Sequence, residues 1–137
     1  MYATMHAVEY YTIRVEDLPG VAYQTLTDLF DEKINLLAFS VVPIQQDQCE
    51  ITLFPESVER LLGAAKKRKH ELTGPKRAFL IQGDDQLGAL MEIHKKLAEA
   101  GINIHSSSGV TDGRGGYGYT LFVETDDYQR AAQVLGI

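Results

Sequence analysis

The sequence is poor in three things, and each shortage narrows the field. Cysteine occurs once, at Cys49, so an internal disulfide is excluded. Positive charge is scarce: 13 Lys and Arg face 19 Asp and Glu, leaving a net charge of −6. Phosphate binding needs a basic field, which argues against nucleic acid as the main partner. Long apolar runs are missing as well, and no stretch approaches a membrane span. The opening "MYATMHAVEY" has no basic region followed by an apolar run, so it does not read as a secretory signal. The expected setting is the cytoplasm, with no membrane partner.

What remains describes a folded chain. Apolar residues make up 45% of it, enough for a core, and the charged fraction of 23% is ordinary. A length of 137 residues suits one ordinary domain or two small ones.

The chain repeats itself. At a constant offset of 68, Ile13 meets Ile81, Asp17 meets Asp85, Gly20 meets Gly88 and Leu29 meets Leu97. "IN" at Ile34 and Asn35 meets "IN" at Ile102 and Asn103, and "TLF" at Thr52 to Phe54 meets "TLF" at Thr120 to Phe122. The second copy then carries about two extra residues, after which "VER" from Val58 aligns with "YQR" from Tyr128. The repeats are placed at 1–72 and 73–137.

Each copy reads strand, helix, strand, strand, helix. "AVEYYTIRV" is aromatic and β-branched, hence a strand. Asp17 is expected to cap a helix running from about Pro19 to Lys33, with Pro19 in its first turn. In the second copy Leu90, Ile93, Leu97 and Ala100 fall at helical spacing, and Gly101 is placed to end that helix. "NLLAFSVVPI" with "CEITLF", and "NIHSSSGV" with "GYTLFVE", read as hairpins. Ser57 is expected to cap a helix from Val58 to about Glu71, whose counterpart runs from about Asp127 to Leu135. The fold class is α+β: two ferredoxin-like βαββαβ units forming an antiparallel sheet with helices on one face. "RAFLIQG", Arg77 to Gly83, serves as the last strand of the first copy and the first of the second. The chain's opening strand supplies the strand the second copy lacks, giving one six-stranded sheet. Two separate four-stranded sheets are the rival arrangement.

The repeated stretches "DLPGV" with "KINL", and "DQLGA" with "GINI", resemble the signature of ACT domains. The likeness covers nearly the whole chain, twice, although the second copy has Leu87 where the first has Pro19. The resemblance implies the βαββαβ fold and a regulatory protein that senses an amino acid or related metabolite, without catalysis and without a cofactor. It also implies a homodimer and a metabolic enzyme as partner in trans. Ligand-contacting positions carry over to Asp17, Leu18 and Gly20 with Asn35 in the first copy. In the second they are Asp85, Gln86, Leu87 and Gly88 with Asn103, Ile104 and His105.

The chemistry of such a corner follows from the residues themselves. A helix N-terminus offers free N–H groups and partial positive charge to a carboxylate. Gly20 and Gly88 let a ligand approach the backbone closely, and an adjacent acid attracts an ammonium group. Asn35 and Asn103 can donate and accept. The plain alternative is that the acids are helix caps, the glycines ease packing and the asparagines end turns.

The copies differ. "LLAFSVV" is apolar on both faces, which suggests cover by a second chain. "IHSSSGV" brings an imidazole and hydroxyls, favouring the second copy for a polar ligand, or else it is an edge strand with serines facing water. "TDGRGGYGY" reads as a hairpin turn more readily than as an anion cradle. "KKRKH" reads as solvated cations at a helix C-terminus. His6, His70, His94 and His105 show no metal-ligand spacing, and no nucleophile sits in an elbow. A ligand-independent protein–protein interaction module is the second functional reading, and a small enzyme, of which the sequence gives no positive sign, is the third.

Overall fold

The computed structural model of the chain describes residues 3–84 and 87–137. In order, the elements are β1 (Ala3–Glu16), α1 (Val21–Asp31), β2 (Leu36–Gln45), β3 (Gln48–Pro55), α2 (Val58–Arg68), β4 (Thr73–Asp84), α3 (Leu87–Glu99), β5 (Ile104–Thr111), β6 (Gly116–Val123) and α4 (Tyr128–Leu135). A short 3₁₀ turn, Thr125–Asp127, leads into α4. The fold is α+β, and the strands form one six-stranded sheet in the order β2-β3-β1-β4-β6-β5. The pairings β1–β3, β2–β3, β4–β6 and β5–β6 are antiparallel.

Two compact units divide the chain: Glu9–Lys76, and Arg77–Ile137 together with Met1–Val8. In the first, alternate residues of β1 (Tyr11, Ile13) and of β3 (Ile51, Leu53) meet Leu29 of α1 and Leu61 and Ala64 of α2 in a buried cluster. Strand side chains alternate between faces, so this parity sends one face of the sheet under both helices. Burying each large apolar side chain there contributes about 1.5–3 kcal/mol. The stretch Thr73–Lys76 of β4 belongs to this unit, while Arg77–Gly83 belongs to the other.

The second unit has the same logic. Phe79 and Ile81 of β4 and Tyr119 and Leu121 of β6 pack with Ile93 and Leu97 of α3 and Tyr128, Ala131 and Leu135 of α4. Phe79 and Tyr128 stack at 4.7 Å, with the Arg77 guanidinium over the far ring at 4.4 Å. The start of β1 belongs to this unit: Met5 packs against its core, and Thr4 Oγ1 donates to the Gln82 carbonyl at 3.4 Å.

The helix ends explain themselves. After α3, the Ile102 N–H donates to Leu97 O at 2.9 Å and the Gly101 N–H to Ala98 O at 3.0 Å, closing the helix with Gly101 at φ 73. Ser57 caps α2 as expected, its Oγ accepting from the Arg60 N–H at 3.3 Å. That helix ends at Arg68 and not at Glu71, because Lys69 turns left-handed and the His70 N–H returns to Ala65 O.

Two expectations are corrected. Asp17 does not cap α1; Gly20 holds that position at φ 90, without any side-chain hydrogen bond. Pro19 lies before the helix, in a turn closed by the Val21 N–H on Leu18 O at 3.2 Å. Proline at the second position and a positive-φ glycine at the third are what a type II turn requires. The basic run is also not simply solvated. Arg68 Nε donates to Glu32 at 2.9 Å, Lys67 to Glu32 at 3.2 Å, and His70 Nε2 lies 2.9 Å from Asp28, so the end of α2 is tied to α1.

Candidate ligand-binding corners

In the first unit the β1–α1 corner is open. Asp17, Leu18, Pro19 and Gly20 are exposed, Leu18 at 54%. The Asp17 N–H donates to Asp47 O at 2.7 Å, which fastens the corner to the β2–β3 turn. A Cβ at Gly20 would meet nothing within 4 Å. Val21, the first residue of α1, returns its N–H to Leu18 O at 3.2 Å, and Gln24 returns its own to Gly20 O at 2.9 Å. Helix geometry therefore aims the amides of Ala22 and Tyr23 at this open space, and no side chain among the described residues caps them.

Asn35 lies elsewhere. Its carbonyl accepts from the Glu56 N–H at 2.9 Å, beyond the far end of β3. The corner adjoins Gln48 at the near end of that strand, through Glu16. Eight residues of β3 separate the two ends, roughly 25 Å. The recess beside Asn35, lined by Lys33, Ile34, Glu56, Ser57 and Arg60, measures about 10 Å³. That holds no more than one water.

The second unit divides its residues in the same way. Asp85 and Gln86 fall outside the described residues. Leu87 opens α3, and Gly88 follows in its first turn, exposed. Asp84, just before the corner, pairs with Gly116 at the start of β6. Ile104 pairs with Val123 at that strand's end, with exposed Asn103 beside it. His105 Nδ1 lies 3.1 Å from Glu124 Oε1, both side chains 65% exposed. The corner and the asparagine end of this unit are thus again separated by the length of a strand.

β5 and β2 each carry a bulge at the equivalent position, His105 in one and Leu37 in the other. Ser106, Ser107 and Ser108 are all exposed on β5, an outer strand of the sheet. The hairpin 111–116 uses two of its amides internally: Asp112 Oδ1 accepts from the Arg114 N–H at 2.7 Å and the Gly116 N–H at 3.0 Å. Those two donors hold the Asp112 carboxyl below its ordinary value. The Cys49 thiol is pushed up, by burial first and by Asp17 second, which is the reverse of an activated nucleophile. Among the described residues no His, Cys, Asp and Glu cluster could hold a metal, and no helix is long and apolar enough to cross a membrane.

These units define an α+β fold of paired helix-on-sheet layers, and solved structures share it. A protein from Bacteroides thetaiotaomicron superposes with a TM-score of 0.79 at 17% identity, over 96% of this chain and 88% of that one. The regulatory subunit of aspartate kinase from Thermus thermophilus gives 0.62 at 14% identity, over 98% and 94%. The aspartokinase alpha and beta subunits give 0.62 at 19% identity, over 98% and 95%. At these identities the shared property is the fold. No family model and no curated protein sequence matches the chain.

Proposed function

We propose that this chain is a non-catalytic, tandem ACT-type regulator that binds an amino acid or a related small metabolite at its strand-turn-helix corners. The repeats, 1–72 and 73–137, would each form one βαββαβ unit, and the protein would work in the cytoplasm on a metabolic enzyme in trans. The observation that carries this reading is the uncapped start of α1 at Gly20, with open space above it and Asp17 alongside. A ligand carboxylate would sit on the Ala22 and Tyr23 amides, and its ammonium group would face Asp17. Gly88, with Asp85, Gln86 and Leu87, would form the second corner. The fold shared with a regulatory subunit of aspartate kinase supports a regulatory reading.

Asn35 in the first repeat, and Asn103, Ile104 and His105 in the second, lie a strand's length from their own corners. They would reach a ligand only as contributions to another copy's corner, which is why the proposal includes a homodimer. Thermal-shift measurement across the standard amino acids tests it. A true ligand at a hundred times its dissociation constant stabilises the fold by about 2.7 kcal/mol. Silence from every amino acid would remove amino-acid sensing.

A second reading has its own support. β2 is an outer strand, and Leu37, Phe39, Val41, Val42 and Ile44 are all at least 38% exposed. An apolar outer strand of this length suits a ligand-independent interaction module. Capture of one specific enzyme with no ligand requirement would favour it.

A further inference from the structure

The second unit has a groove that the amino-acid reading leaves unused, of about 310 Å³, on the face of its sheet away from α3 and α4. That volume is at the lower end of small-molecule sites. Its shape follows from two glycines. Gln82, Gly118 and Val110 lie directly opposite one another on β4, β6 and β5. Paired residues share a face, so Gln82 and Val110 are the walls and Gly118 the floor. The walls stand about 9–10 Å apart, twice the interstrand spacing. A Cβ on Gly118 would meet nothing within 4 Å, so the floor is bare backbone with room above it. Glycine inside a strand weakens the sheet and marks places where a ligand approaches the backbone.

The ends of the groove differ in chemistry. At Gly116, the position a Cβ would take lies 2.9 Å from Asp112 Oδ2, so that carboxylate covers the floor there. Its Oδ1 is held by two backbone N–H groups, and the carboxylate makes no ion pair with a described side chain. Exposed Asp84 lies opposite Gly116 on the same row. The other end meets Thr120, whose hydroxyl donates to Ser108 O at 3.4 Å. A flat floor suits a ring. Two carboxylates at one end can accept from the N–H groups of an amine, and they repel phosphate. The Gln82 amide can donate and accept together, as glutamine does along the edge of adenine.

We propose that this groove binds an amino-substituted nucleobase of the adenine type, as the base or nucleoside and not as the nucleotide. The ring lies over Gly118 between Gln82 and Val110, with its exocyclic amine toward Asp112. Its acidic end, at Asp84, adjoins the second corner proposed for amino acids, but the floor at Gly118 lies one same-face pair further in.

Calorimetric titration of the full chain with adenosine, inosine and AMP, alongside amide chemical shifts, tests this. Adenosine should bind and shift Gln82, Val110 and Gly118. Inosine, which lacks the amine, and AMP, which adds phosphate, should each bind at least tenfold more weakly. Gly118→Val, whose Cβ would meet nothing within 4 Å, fills the floor and should abolish adenosine binding while leaving any amino-acid thermal shift intact. Gln82→Leu should weaken adenosine at least tenfold, which keeps the test sound should the glycine variant fold poorly. No adenosine binding at millimolar concentration, equal binding of inosine, tighter binding of AMP, or indifference to both variants would each overturn the assignment. Loss of the amino-acid response alone would leave it standing.

Discussion

Lys33 and Gly101 hold the same place in the two repeats: each is the left-handed residue that ends the first helix of its copy, at φ 61 and φ 73. The hydrogen bonds correspond as well, Ile34 N–H to Leu29 O at 3.0 Å and Ile102 N–H to Leu97 O at 2.9 Å. One position therefore carries two residues of different conformational cost. Side chains other than glycine cost about 1–2 kcal/mol in this region. Lys33→Gly is expected to stabilise the chain by about 1 kcal/mol, and Gly101→Ala to destabilise it by a similar amount. A Cβ at Gly101 meets nothing within 4 Å, so the second change tests backbone strain alone. Urea unfolding midpoints for the two variants, moving in opposite directions, check it.

Acid sensitivity follows from the cluster between α1 and α2. Asp28 is held below its ordinary value first by the Gln24 amide, at 3.0 Å, and then by His70. Glu32 is held down first by Arg68 and then by Lys67. For a carboxyl whose folded value is depressed, the unfolded chain binds more protons in the window between the two values. The contribution is then complete above the ordinary carboxylate range, about 3.9 for Asp and 4.3 for Glu, and is lost as pH falls through the folded values. Urea midpoints should decline below about pH 5. The double variant Asp28→Asn with Glu32→Gln should be less stable at pH 7 and show a flatter acid limb. An unchanged slope would mean that these carboxyls titrate alike in both states.

Tyr117 presents the opposite case, a buried polar atom with no partner among the described residues. Its hydroxyl is shielded from solvent and makes no hydrogen bond with any of them. Burial, and then Asp84, raise its pKa, so the phenol stays neutral. An unsatisfied buried hydroxyl costs about 1–3 kcal/mol. Tyr117→Phe removes that oxygen while keeping the ring that packs against the second unit's core. The expected result is equal or greater stability, by up to about 1 kcal/mol. A clear loss in a thermal melt would show that the hydroxyl has a partner in solution.

How much of this was legible in the sequence depended on whether the controlling interaction was local. The helices, hairpins, Ser57 cap and Gly101 stop were readable because each is set by residues within one turn of one another. The shared offset also pointed to the chain's start as a strand serving the second copy. Lys33 was opaque, since nothing about lysine announces a left-handed stop. The turn at Gln46 and Asp47, with both φ angles positive, lacks the glycine that usually signals it. Asp17 looked like a cap because acids commonly are, yet the Pro19–Gly20 pair set a type II turn that places Gly20 at the cap. The ties from Arg68 and His70 to α1 join residues 36 and 42 apart, and no local pattern reveals them. The site suffered from the same limit. The corner and the asparagine fall in one short motif, but an eleven-residue helix lies between them and carries Asn35 to the far end of the unit.

The outer strand β2, from Leu36 to Gln45, has no charged residue, and Phe39, Val41, Val42 and Ile44 are exposed. β3 pairs along one side of β2, and the strand is outermost in the sheet, so its other side presents unpaired N–H and C=O groups. Proteins that stay monomeric protect such edges with lysine or with cover; Pro43 removes only one donor. Self-association is the expected consequence, and sedimentation of the purified chain at micromolar concentration should show a dimer. Val41→Lys places a charge within the strand and should yield a monomer whose circular dichroism matches the parent. If the parent chain sediments as a monomer at every concentration, the apolar edge must be covered by a different protein. The shared-site arrangement, in which Asn35 or His105 serves the corner of another copy, would then lose its basis.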